Sequence, residues 1–372
     1  MRVPVNEPVI TDEAKRNVLS ALETGWISSA GAYIGEFENA FASYLGVKHA
    51  IATTSGTTAL HVALAALDIG PGDEVIVPDF TMIASVYAVL YTGATPVFID
   101  AEPETFCLDT TKLPSLITER TKAIMPVHLF GHPADMDPVL TLAQERGIAV
   151  VEDAAEVHGA LYKGRLCGSM GDLGCFSFYG NKIITTGEGG MVVTNDDALA
   201  RRVRSLKDLA HVPGKRFTHE AVGFNYRMTN LQAGLGLGQL QHIDAFLAHK
   251  RWMGETYTQC LKEIRGLRTP ITKVYATNVY WMYALLVEDE FGISRDALCE
   301  RLKEREIDTR DFFLSSAKQP SIRALGIEQG PFPVSEDLAR RGFYLPSGLA
   351  LTQEQLDYVC ASIEAIAHDV HH

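Results

Sequence analysis

The chain has 372 residues, 47% apolar and 21% charged, which suits a soluble globular protein of about two domains. Its net charge of −13 argues against a nucleic-acid binder built on phosphate contacts, so an anionic ligand needs a local device to hold it. No apolar run reaches the ~18–20 residues of a membrane span, and no basic-then-apolar leader opens the chain. Its six cysteines are scattered without a C-x-x-C pair, which points to a reducing cytoplasm.

From about Val47 to Asn195, short β-branched runs alternate with longer amphipathic ones. Strands are predicted at His49–Ala52, Glu74–Val77, Pro96–Ile99, Ala123–Pro126, Ile148–Glu152, Gly174–Phe178 and Met191–Thr194. Helices are predicted at Thr57–Leu67, Met82–Tyr91, Thr111–Ile117 and Met136–Arg146, with Gly70-Pro71-Gly72, Gly93 and Gly147 as stops. This alternation is the mark of an α/β fold with a mainly parallel sheet covered on both faces. Then come a helix over Asp196–Leu209, a polar loop over Ala210–Val222 and one long helical region over Thr229–Gly266. Gly234, Gly236 and Gly238 fall inside that region and read as packing glycines. Beyond Thr269 the pattern becomes α+β, with a strand over Tyr280–Val287, a helix over Arg295–Glu304 and a closing helix over Gln353–His368. The chain divides into a large domain, 1–240, and a smaller C-terminal one, 241–372. The tail His368-Asp369-Val370-His371-His372 reads as a frayed end or tag remnant sooner than as a metal site.

Three strand exits carry chemistry. Ile148–Asp153 is a buried strand ending in an acid, Asp153, at the carboxyl edge where open α/β sheets bind ligands. Alone, such an acid reads as a helix cap or a solvated turn. Lys182 follows another apolar strand, five residues after Ser177, and alone reads as surface charge. The third exit, Thr53-Thr54-Ser55-Gly56-Thr57-Thr58, opens a helix. Gly56 permits close backbone approach there, and free N–H groups attract a phosphate. It is not a P-loop, because no lysine follows at the required offset. Together, a phosphate cradle, an acid and a lysine suit pyridoxal phosphate: Lys182 for the Schiff base, Asp153 for the pyridine nitrogen, Thr57 and Ser177 for the phosphate.

Asp153-Ala154-Ala155-Glu156, Ser177–Lys182, Gly187-Glu188-Gly189-Gly190 and Gly223–Met228 resemble the sugar-nucleotide aminotransferases of the DegT/DnrJ/EryC1/StrS family. The resemblance runs from Gly25-Trp26-Ile27-Ser28-Ser29 to Leu345-Pro346-Ser347-Gly348. It implies a fold-type I pyridoxal phosphate enzyme, with a seven-stranded sheet in the large domain and a homodimer whose active sites are shared. Lys182 then also shuttles protons, Glu156 sits near the ring hydroxyl, and Gly56, Thr57 and Ser177 hold the phosphate. Asn225 reaches the phosphate of the neighbouring subunit. Gly25–Ser29, Ala123–Leu129 and Gly180–Met191 most resemble members that aminate C4 of a GDP-linked 4-keto-6-deoxy sugar, with glutamate as donor. Trp26 and Ser28 then line the sugar pocket.

Two departures stand out. Met82 replaces the aromatic residue that relatives place over the cofactor ring, and covers the ring through its sulfur. Where those relatives have Arg-Pro and then a Pro-Met-His run, this chain reads Arg310-Asp311-Phe312-Phe313-Leu314-Ser315-Ser316. Arg310 is the expected diphosphate contact and Asp311 a sugar or backbone contact. A dTDP- or UDP-linked sugar, aminated at C3 or C4, is the alternative substrate. Dehydratases of the family carry histidine where this chain has Lys182. A non-enzymatic regulator need not keep Asp153, Ser177 and Lys182 together.

Overall fold

The computed structural model describes residues 1–215 and 217–371; Arg216, inside the predicted loop, and His372, ending the predicted tail, lie outside the described residues. Two helices precede the first predicted strand: α1 (Asp12–Thr24) and α2 (Ala32–Leu45). The Thr11 hydroxyl caps α1 by accepting from the Ala14 N–H, Asp12 and Glu13 suit its positive end, and Gly25 stops it at φ 74°.

The alternating segment folds as β1 (His49–Thr53), α3 (Gly56–Ala66), β2 (Glu74–Pro78), α4 (Ile83–Tyr91), β3 (Thr95–Ile99), β4 (Thr121–Ile124), α5 (Met136–Arg146), β5 (Ala149–Asp153), β6 (Leu173–Ser177), β7 (Gly190–Thr194) and α6 (Asp197–Lys207). The seven strands form one sheet in the order β1-β7-β6-β5-β4-β2-β3. Only β7 runs against its neighbours, pairing antiparallel with β1 and β6, while β6-β5-β4-β2-β3 are parallel throughout. Side chains alternate across the sheet. Ile76, Ile124, Val150 and Phe176 pack with Phe37 and Phe41 of α2 on one face. Val75, Val77 and Val151 pack with Leu60 and Val62 of α3 on the other. Because β7 alone is reversed, β1, β2, β5 and β6 all end along one edge.

The predicted helical region over 229–266 is two helices, α7 (Asn230–Leu240) and α8 (Ile243–Leu261). They break at His242, which leaves helical geometry (φ −109°, ψ 10°) and whose ring reaches Glu13 at 2.8 Å. The three glycines do pack: a Cβ on Gly238 would lie 2.3 Å from the Ala14 nitrogen, so their absence of side chains lets α7 press onto α1.

A second, antiparallel sheet has the order β8-β9-β11-β10, where β8 is Leu267–Arg268, β9 Tyr283–Val287, β10 Arg310–Asp311 and β11 Gly342–Leu345. Helices α9 (Arg295–Glu304) and α10 (Gln353–His371) bury Leu298, Leu356 and Ile363 with Tyr257 and Tyr283. Strand β9 begins at Tyr283, not at Tyr280 as predicted, because Tyr280 sits at φ 46°. The closing helix continues to His371, past the predicted end. The predicted helix over 111–117 is only a 3-10 turn and one α-turn, with Pro114 in the latter's first turn. Among the described residues, no helix is long and apolar enough to cross a membrane, and no cluster of three or more His, Cys, Asp or Glu is set to hold a metal.

Candidate active site

The shared edge of the sheet opens into a cavity of about 380 Å³. At the end of β1, Ser55 caps α3: its hydroxyl accepts from the Thr58 N–H while its own N–H donates to the Thr58 hydroxyl. Gly56 and Thr57 open that helix, so their N–H groups have no carbonyl one turn back to bond to, and both residues line the cavity. A Cβ on Gly56 would meet the Ser177 Cβ at 2.7 Å, so only glycine lets this helix start close against the exit of β6. The result is a cradle of N–H groups beside a hydroxyl, suited to a phosphate.

Asp153 closes β5 in the same cavity, buried. Its Oδ2 accepts from the Ser85 hydroxyl at 2.7 Å and its Oδ1 from the Ala155 N–H at 3.1 Å. Burial raises its pKa, and the bonds from Ser85 and Ala155 do not fully offset that. Glu156 is also buried, accepts from the Phe130 N–H at 2.8 Å and lies 3.7 Å from Lys182 Nζ. Burial lifts its pKa to about 7, against the opposing pull of Lys182. Burial conversely lowers the pKa of Lys182, which Glu156 and Asp153 only partly restore. A lysine eased toward its neutral amine is a nucleophile and a proton carrier.

Gly56, Thr57, Met82, Asp153, Glu156, Ser177 and Lys182 therefore line one cavity. Five other predicted residues do not. Asn225 is exposed outside it, its Oδ1 accepting from Arg227 Nε at 3.2 Å. Trp26 and Ser28 are exposed as well, their carbonyls held by the side chain and backbone of Asn230 at the start of α7. Arg310 and Asp311 form the short strand β10 and are exposed. Asp311 pairs with Arg295 at 3.3 Å, a cation 16 residues away whose approach sequence spacing does not show.

Other side chains brace or line the cavity without a sequence signal pointing to them. Ser85, in the first turn of α4, orients Asp153. Trp281 covers Lys182, with Nζ 3.7 Å from the centre of its ring. Phe313 and Tyr344 complete the wall.

A family model described as the DegT/DnrJ/EryC1/StrS aminotransferase family matches residues 8–364. The chain belongs to this family. Among curated members, it is 46% identical to a GDP-perosamine synthase of Caulobacter vibrioides over 98% of both chains. It is 42% identical to a GDP-perosamine synthase of Escherichia coli O157:H7 over 99% of both. Among solved members, it superposes on the PLP form of a putative sugar aminotransferase from Streptococcus pneumoniae with a TM-score of 0.93, 26% identity and full coverage of both chains. A DegT-family aminotransferase of the α/β class is thus what the fold and the comparisons give together.

Proposed function

We propose that this chain transfers an amino group from glutamate to C4 of GDP-4-keto-6-deoxymannose, forming GDP-perosamine, with pyridoxal phosphate as cofactor. The observation that carries the chemistry is the meeting of Asp153, Lys182 and the α3 cradle in one cavity. The choice of substrate is supported by relatives at 46% and 42% identity, both named for that product. The residues fit the cofactor: Gly56, Thr57 and Ser177 present N–H groups and a hydroxyl to the cavity that Asp153 supplies with a carboxylate. When bound, pyridoxal phosphate supplies an electron sink for the carbanion formed at the amino donor.

In this reading the Gly56 and Thr57 N–H groups and the Ser177 hydroxyl bind the phosphate. Asp153 accepts a hydrogen bond from the protonated ring nitrogen, worth about 1.5–3 kcal/mol for a charged pair. Ser85 fixes the angle at which that carboxylate is presented. Lys182 Nζ takes the proton from the donor's α-carbon and hands it on. Glu156, beside it, accepts or returns a proton near neutrality. Phe313, Trp281 and Tyr344 keep water from the reacting atoms.

Asn225, Trp26 and Ser28, exposed on one chain, then serve the site of a second chain in a homodimer, and Arg310 serves the diphosphate. A molar-mass measurement at twice the chain's 40.7 kDa checks the assembly. One observation favours a second nucleotide: the Arg310–Ser316 segment lacks the histidine-bearing run of the members that aminate C4 of a GDP-linked sugar. A panel of GDP-, dTDP- and UDP-4-keto-6-deoxy sugars with glutamate tests the reading. The GDP sugar is expected to show the highest kcat/KM, and a better dTDP sugar overturns the nucleotide.

A further inference from the structure

Behind the cavity, at the junction of the two sheets, helix α8 carries Lys250. Only 2% of it is exposed, and among the described residues no carboxylate pairs with it. Its ammonium donates instead to two backbone carbonyls, that of Trp281 at 2.8 Å and that of Ser347. A lysine so placed is costly: desolvation penalises the charge and pulls its pKa down to about 7. A methionine of similar length would avoid that cost but leave two buried carbonyls without their donor. Both carbonyls lie on loops, one ahead of β9 and one after β11, and Trp281 itself lines the cavity.

Trp281 is the link onward. Its indole Nε1 donates to the Asn181 carbonyl at 2.8 Å, the peptide leading into Lys182, and its ring face lies 3.7 Å from Lys182 Nζ. One side chain thus holds both ends of Lys182, the backbone entering it and the ammonium leaving it. Only 4% of Trp281 is exposed, and its main chain is tied from behind by Lys250. Lys250, Trp281 and Lys182 also border one small cleft. The Ser347 end is equally built in: Ser347 Oγ accepts from the Tyr283 N–H at 2.9 Å and donates to the Leu345 carbonyl at 2.7 Å. The ammonium therefore bridges the segment that leads into β9 and the segment that leaves β11, directly behind the indole that lies over Lys182.

We propose that Lys250 is a positioning residue for Lys182, acting through Trp281. The proposal rests on Lys182 being the cofactor-bearing lysine, but its main test is made on the protein without cofactor. Trinitrobenzenesulfonate labels free amines, and the labelling rate of Lys182 is read from its peptide by mass spectrometry. Lys250→Met is expected to speed labelling about fivefold, Trp281→Phe to do the same, and the double variant to add nothing beyond either. Lys250→Arg, which keeps donors and charge, is expected to bring the rate back to within about twofold of wild type. With Trp26 and Trp252 replaced by phenylalanine, Trp281 is the one remaining tryptophan, and Lys250→Met should shift its emission, excited at about 295 nm or above to spare the tyrosines, to the red. In the holoenzyme, kcat should fall about tenfold while KM for the nucleotide sugar stays within twofold. Multiplicative effects in the double variant, or unchanged Trp281 emission in Lys250→Met, overturn the proposal. Should Lys250→Met not fold, the same cycle is run with Lys250→Gln, which keeps N–H donors one methylene shorter. Failure of the cofactor reading shows separately, as a Lys182→Ala enzyme that still turns over.

Discussion

Glu152 and Asp153 are consecutive, both buried, and face opposite sides of strand β5. Glu152 Oε2 accepts from His128 Nε2 at 3.0 Å and the Gly168 N–H at 2.8 Å, and its Oε1 from the Met170 and Gly171 N–H groups at 2.6 and 2.7 Å. The Ala134 N–H donates to His128 Nδ1, so the proton sits on Nε2 and points at Glu152. Burial works to raise Glu152, but these bonds outweigh it and hold its pKa below the usual range. Among the described residues Asp153 has only the Ser85 and Ala155 donors, and burial carries its pKa upward. A carboxylate whose acceptor sites are all filled organises the fold, here the turn at 168–171. A carboxylate left with open sites has capacity for a ligand, and the one facing the cavity is of this kind.

The contrast is sharpest in the variants it separates. Lys182→Ala should abolish turnover while leaving the melting temperature near wild type, checked by steady-state assay and thermal unfolding. Asp153→Asn should cut kcat about 10²-fold, the loss of one charged hydrogen bond, again with little change in stability. Glu152→Gln should do the reverse. It sets an NH2 group against N–H donors that the carboxylate had satisfied, so about 1–3 kcal/mol of stability should go, while kcat per folded molecule stays within about threefold. An activity loss in Glu152→Gln as large as in Asp153→Asn would erase the distinction between the two faces.

The smallest expected effect is a pH slope. His158, two residues after Glu156 and packed between Phe176 and Phe178, is kept neutral by burial, which lowers its pKa from 6.5 to about 3. Below pH 6.5 the unfolded chain binds this proton and the folded chain does not. The stability it contributes is therefore complete above pH 6.5 and is lost as the pH falls toward 3. Glu156 acts oppositely: the fold holds its proton up to about pH 7, so between 4.5 and 7 its term grows as the pH falls. Urea midpoints from pH 7 to 4 should decline less steeply in His158→Asn than in wild type, and in Glu156→Gln more steeply.

How much of this was legible in the sequence follows from what each residue depends on. Asp153, Ser177, Lys182 and Gly56 stand at or just past strand exits, and a short apolar run that gives way to polar or glycine residues shows the exit directly. The parallel alternation is legible for the same reason. The order of the strands is not, because the reversal of β7 leaves no local mark. Ser85 and Trp281 reach the site by tertiary packing, the first off a helix turn and the second off a loop that Lys250 ties down. The pairing of Asp311 with Arg295 is likewise tertiary, joining residues 16 apart in the chain. Helices α1 and α2 went unpredicted, although Thr11 and Gly25 mark both ends of α1.

The central claim is that Lys182 and Asp153 run a transamination onto a GDP-linked ketosugar, and the half-reactions test it most directly. Protein loaded with pyridoxal phosphate and mixed with L-glutamate should lose its yellow absorbance at one equivalent per chain. Adding GDP-4-keto-6-deoxymannose should then restore the colour and release an aminated GDP sugar. Colour that survives glutamate, or that returns with a dTDP-ketosugar and not with the GDP sugar, would contradict the account.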